Sequence, residues 1–122
     1  MHFKPNYPIY LQVVDFLCER ILMHRWGDGE KIPSVKELSV EAAVNPNTVI
    51  KSLTYLLDND ILLTQRGVGY FLTEDAHQKT IELKRRQFVK EDLPDVFSNM
   101  ELLGISLEDL ADFYANKLLK KT

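Results

Sequence analysis

The chain has 122 residues, 45% of them hydrophobic and 27% charged, with a formal net charge of −3. Those are the proportions of an ordinary globular protein, long enough for one modest core and an appendage. No apolar run approaches the length that spans a bilayer, and the N-terminal MHFKPNYP lacks the charged-then-apolar layout of a leader, so a cytoplasmic protein with no membrane partner is expected.

Pro8 suits the first position of a helix, and Tyr10, Val13, Val14, Leu17 and Ile21 follow at helical spacing until the turn chemistry of Gly27-Asp28-Gly29. Cys18 is the only cysteine, which excludes an internal disulfide; among Phe16, Leu17, Ile21 and Leu22 it reads as a small buried apolar group. Lys31-Ile32 reads as a short extended piece. Ser34 with Glu37 is a capping box, so a second helix is expected from Val35, with Val35, Leu38 and Ala42 inward and Lys36, Glu37, Val40 and Glu41 outward.

Asn45 as N-cap and Pro46 at the first helical position announce a third helix. Only Ala43 and Val44 separate it from the second. At about 100° per residue, Val49, Leu53, Leu56 and Leu57 share one side, and Asn47, Lys51, Thr54 and Tyr55 the other. Ile61–Gln65 is strand-like, residues 66–69 turn the chain, and Tyr70–Thr73 return, which makes a hairpin directly after the third helix. Two helices joined by a tight turn and followed by a hairpin are the layout of a winged helix-turn-helix.

That layout gives the polar residues a use. Asn47 can present donor and acceptor together to a base edge, Lys51 can reach a guanine or a phosphate, and the hydroxyls of Ser34 and Thr48 suit the sugar-phosphate backbone. Arg66, followed by Gly67 at the hairpin tip, suits a phosphate or the negative potential of a narrow minor groove. The candidate DNA-binding set is Ser34, Lys36, Asn45, Asn47, Thr48, Lys51, Thr54, Arg66 and Gly67. Charge speaks against a strong non-specific hold, since residues 1–72 carry seven Lys or Arg against eight acids. The alternative is a winged-helix module that binds protein, which salt would separate from DNA binding.

Residues 8–72 resemble the DNA-binding domain of the GntR family of bacterial transcription regulators. The matching pieces are Pro8-Ile9-Tyr10, Gly29-Glu30-Lys31-Ile32-Pro33-Ser34, Glu37-Leu38, Val44-Asn45-Pro46-Asn47-Thr48-Val49 and Arg66-Gly67-Val68-Gly69-Tyr70-Phe71. Three positions depart from the family pattern. Lys36 stands where Arg is usual and lacks the planar fork, Asn59-Asp60 stand where Gly usually ends the recognition helix, and Val68 replaces a second basic wing residue. The resemblance implies a sequence-specific transcription regulator that binds double-stranded DNA.

In the remainder, Asp75 with Gln78 suits the cap of a helix running to about Lys90, whose Lys79, Lys84, Arg85, Arg86 and Lys90 make a basic cluster close to the wing in sequence. Such a cluster is usually a solvated face; contact with DNA backbone outside the core site is its functional reading. Pro94 opens a further helix with Leu93, Val96, Phe97, Met100 and Leu103 in one stripe; Gly104 closes it, and Ser106 with Asp109 starts another, bearing Leu107, Leu110, Phe113, Tyr114 and Leu118.

Fewer than 50 residues of helix this apolar do not enclose themselves, so Leu93, Val96, Phe97, Met100, Leu103, Leu110, Phe113, Tyr114 and Leu118 are expected at a homodimer interface. A C2 dimer would address an inverted-repeat operator. The short helical tail also resembles the YtrA-type branch of the family, which implies a repressor, typically of a transporter operon. So small a tail leaves little room for an enclosed pocket, so no cofactor is expected, and any small-molecule effector stays unassigned.

The fold class expected is therefore α+β, with an N-terminal winged helix-turn-helix over residues 1–73 and a small C-terminal all-α dimerisation region over residues 74–122. His2, His24 and His77 have no carboxylate or cysteine at ligand spacing, and turn formation explains Asp58 with Asp60. No metal site, catalytic residue or enzyme activity is expected.

Overall fold

The computed structural model describes residues 6–121, with side chains to Lys117. Its elements are α1 (Ile9–Leu22), α2 (Val35–Ala42), α3 (Pro46–Asp58), β1 (Leu62–Gln65), β2 (Gly69–Leu72), α4 (Ala76–Gln87), α5 (Leu93–Leu103) and α6 (Leu107–Lys121). The chain divides into two compact units, one ending at Lys84 and the other beginning at Arg85. The first unit therefore includes most of α4, eleven residues beyond the hairpin's expected end at Thr73.

In the first unit, α1 begins one residue later than expected: Pro8 is extended (φ −55°, ψ 137°) and caps the helix instead of opening it. It also ends well before Gly27. Met23 caps α1, and His24 takes the left-handed conformation (φ 56°) that turns the chain away. Val13, Val14, Leu17, Cys18 and Ile21 are buried with Leu38 of α2, Val49, Leu53 and Leu56 of α3, and Leu62 and Leu72 of the hairpin. Removing each large side chain of that set from water stabilises the fold by roughly 1.5–3 kcal/mol.

Burial also governs Cys18. Loss of solvation pushes its thiol up to about 12, outweighing the opposing influence of Lys84, with a smaller upward push from Asp15. A thiol in that state is neutral and unreactive.

α3 sits at the centre, packed against α1, α2 and β1. The buried Ser52 hydroxyl explains part of its alignment with α1, lying 2.7 Å from the Tyr10 carbonyl and 2.9 Å from the Thr48 carbonyl. One proton shared between two acceptors satisfies a group that would otherwise be costly to bury. The strands are antiparallel, pairing Leu62 with Leu72 and Gln65 with Gly69. Lys31 bridges to Phe71, and Ile32 N–H donates to the Tyr70 carbonyl at 3.0 Å, so the short extended piece lies against the hairpin as expected. This is a winged helix-turn-helix.

α4 joins the same core through Ala76 and Leu83. The expected reciprocal cap between Asp75 and Gln78 does not form, because each side chain has a partner elsewhere. Asp75 pairs with Lys79 at 3.3 Å, and Gln78 reaches Glu82 at 3.4 Å. Lys84 pairs with Asp15 on α1 at 2.7 Å, and the His77 ring stacks on His24 with centroids 4.0 Å apart.

In the second unit, a π-turn over Phe88–Asp92 leads straight into α5, so Pro94 occupies the helix's first turn without starting it afresh. Pro94 supplies the physical reason: it has no N–H, and its ring crowds the carbonyl four residues earlier, which a wider turn accommodates. Gly104 closes α5 in the left-handed conformation (φ 67°). The Ser106–Asp109 box forms in both directions, each bond 3.0 Å long. Among the described residues no helix is long and apolar enough to cross a membrane.

Candidate nucleic-acid interface

The N-terminal turn of α2 is held by its capping box. Ser34 N–H donates to Glu37 Oε1 and Glu37 N–H to Ser34 Oγ, both at 3.1 Å. Hydrogen bonding from Ser34 to the carboxyl, first from its backbone N–H and then from its side chain, holds Glu37 below its ordinary value. The Ser34 hydroxyl oxygen is the acceptor for Glu37 N–H in this box. Lys36, next along the helix, is exposed and has no carboxylate partner among the described residues.

Asn45 Oδ1 accepts from Asn47 N–H at 2.8 Å, so Asn45 spends its oxygen on capping α3 and keeps only its amide donors. Asn47 is exposed, and its side chain makes no hydrogen bond within the described residues. Thr48 is half-buried. Thr54 donates its hydroxyl proton to the Ile50 carbonyl at 3.0 Å. Lys51 places its ammonium 4.2 Å from the centroid of the Tyr10 ring, a cation–π contact of roughly 0.5–1 kcal/mol at an exposed site. That contact aims Lys51 without neutralising it. Tyr55, grouped with the polar row in sequence, is half-buried against the core.

At the hairpin tip, Val68 N–H donates to the Gln65 carbonyl at 2.9 Å and closes the turn. Gly67 has φ 78°, and a Cβ added there would meet nothing within 4 Å. Backbone conformation explains that glycine, and the open space around it lets another molecule approach closely. Arg66 is exposed and has no carboxylate partner among the described residues. Val68 is 53% exposed beside it.

Two acids that weigh against anion binding are engaged. Glu41 pairs with Arg20 at 2.7 Å, and Asp15 with Lys84. All nine candidate residues lie in the first unit. Sequence reasoning passed over two more, Tyr10, which holds Lys51, and Ile50, which is 43% exposed on α3. The helical count that selected Asn47 and Thr54 also reaches Ile50, three residues from one and four from the other.

In the second unit, Leu103, Phe113 and Tyr114 are 72%, 58% and 65% exposed, and Val96, Phe97 and Leu110 are also uncovered. Leu93 is half-buried, Met100 is turned inward, and Leu118 lies outside the described side chains. Leu102, outside the expected stripe, is more exposed than any of these. Between α5 and α6 runs an apolar groove of about 580 Å³, lined by Leu93, Val96, Leu110, Phe113 and Tyr114 among others.

Comparison with known proteins gives this geometry a context. Residues 9–72 match the family described as bacterial regulatory proteins, gntR family. The chain is 34% identical over 110 residues to the HTH-type transcriptional repressor YtrA of Bacillus subtilis, a span covering 90% of this chain and 84% of that one. It is 30% identical over 110 residues to YhcF, an uncharacterized HTH-type transcriptional regulator of the same organism, over 90% of this chain and 89% of that one. Its fold is similar to that of a GntR family transcriptional regulator from Listeria monocytogenes, with a TM-score of 0.75, 32% identity, and coverage of 93% of this chain and 98% of the other.

Proposed function

Because the chain belongs to the gntR family of bacterial regulatory proteins, and is thereby a DNA-binding helix-turn-helix transcription regulator, we propose that it is a repressor that binds an inverted-repeat operator as a homodimer. The observation that carries the reading is the pairing of an outward α3 face, Asn47, Lys51 and Thr54, with an Arg66 wing tip that has no carboxylate partner among the described residues. α3 enters the major groove, with Asn47 and Lys51 at base edges and Thr54 alongside. Ser34, Lys36, Asn45 and Thr48 hold phosphates at the two helix N-termini, and Arg66 with Gly67 holds the backbone or the minor groove beside the site.

Residues 1–73 carry the reading and residues 74–122 the pairing. The exposed apolar side chains of α5 and α6, with Phe97, Leu103, Phe113 and Tyr114 foremost, support a second copy of the chain as the partner. The likeness to a repressor supports repression as the sign of control, and the YtrA-type tail makes a transporter operon the first target to examine.

Selection of bound fragments from sheared genomic DNA, run with wild type and with the Lys51→Ala/Arg66→Ala double variant, tests the reading. Wild type alone should enrich an inverted repeat whose half-sites lie about one helical turn apart. Binding should weaken at least tenfold between about 50 and 200 mM salt. A winged-helix protein that serves a protein partner would enrich nothing and be nearly indifferent to salt.

A further inference from the structure

The outward face of α3 carries a hydrocarbon side chain in the middle of its polar row. Ile50 is 43% exposed, whereas the residues α3 sends into the core are Val49, Ser52, Leu53 and Leu56. Helix stability does not call for it either, since a β-branched residue loses χ1 freedom in a helix. Its neighbours on that face reinforce its character. Thr54 has committed its hydroxyl proton to the Ile50 carbonyl, so the groups it keeps for an outside partner are a lone pair and a methyl. The ammonium of Lys51 rests against the Tyr10 ring. The strip running from Asn47 through Ile50 to Thr54 is therefore amide at one end, hydrocarbon in the middle, and a methyl beside an acceptor oxygen at the other end.

In the major groove, the hydrocarbon group that a base pair displays is the C5-methyl of thymine. We propose that Ile50 reads one thymine methyl in each operator half-site, with the Thr54 methyl beside it and Asn47 hydrogen-bonding to a neighbouring base edge. The inference rests on α3 being the recognition helix. Cytosine at that step would remove the methyl and set an amino donor against a side chain that accepts nothing. A near-neutral reading domain gains discrimination in this way without added charge.

The test starts from the operator that wild type enriches and replaces each thymine of a half-site in turn by deoxyuridine, which deletes the methyl and keeps the base pair. One position per half-site should weaken binding about fourfold, the worth of burying roughly one methyl-sized group, and about fifteenfold when both half-sites are changed. Ile50→Ala should lose most of the preference for thymine over deoxyuridine, keeping only what the Ala and Thr54 methyls supply. Ile50→Val, with its branched apolar surface retained, should keep the preference, and Lys51→Ala should bind both operators more weakly while keeping it. If wild type ignores deoxyuridine everywhere, or Ile50→Ala discriminates as strongly as wild type, the inference is overturned and DNA reading by α3 stands. If wild type enriches no repeat at all, both fall.

Discussion

At the scale of single residues, the capping box at the start of α2 ties stability to pH. The Ser34 backbone N–H, and secondly its hydroxyl, stabilise the ionised Glu37 carboxylate, whose value is lowered from 4.5. A lowered value means that the contribution is fully present above that ordinary value and lost as pH falls through the folded one. Thermal melts from about pH 6 down to about pH 3 should show this loss in wild type. Glu37→Gln keeps a side-chain acceptor for Ser34 N–H and should remove that part of the pH dependence. An identical acid profile for both proteins would show that the box contributes nothing through its charge. Ser34→Ala, which also takes away the oxygen that accepts from Glu37 N–H, should cost about 1 kcal/mol at neutral pH.

At the scale of elements, the short turn between α2 and α3 depends on Ala43 adopting the left-handed conformation, φ 56° and ψ 46°. An L-residue with a Cβ pays about 1–2 kcal/mol there, and Gly pays roughly 0.5–1 kcal/mol of extra chain entropy instead. Ala43 is exposed, so no packing is lost by trimming it. Ala43→Gly should therefore raise stability by about 0.5–1 kcal/mol, read as a higher urea midpoint with an unchanged slope. A lower midpoint would mean that the turn is strained for another reason. The same turn shows what the sequence made legible and what it did not. Ser34, Glu37, Asn45, Pro46, Gly104 and the Ser106–Asp109 pair act through atoms a few residues away, so α2, α3, the end of α5 and the start of α6 were placed almost to the residue. Ala43 and His24 announce nothing, because both take left-handed turns without the Gly or Asn that would advertise them. Asp75 misled because an ion pair with Lys79 competed for it, and the π-turn before Pro94 arises from a clash rather than a motif. Within the candidate site, the exposure of Asn47, Lys51 and Arg66 was legible from type and spacing. The contact of Lys51 with Tyr10 joins residues 41 positions apart in the chain and required the fold.

At the scale of the whole molecule, affinity for DNA has to come from somewhere other than net charge, because residues 1–72 hold more acids than bases. On the proposed reading, dimerisation supplies it. Once one half-site is bound, a tethered second reading head sees the other at an effective concentration near the millimolar range, so two weak contacts combine. If the tail is the tether, a charge placed in its apolar face should separate the two activities. Phe113→Glu and Phe97→Glu alter side chains that are 58% and 49% exposed, so neither should unfold the protein that carries it. Wild type should sediment as a dimer, and both variants as monomers at the same concentration. Their affinity for the full operator should fall on the order of 100-fold, while that for a single half-site stays within about twofold of the wild-type value. A variant that remains dimeric would place the interface elsewhere, and one that becomes monomeric yet keeps full operator affinity would show that each reading head works alone.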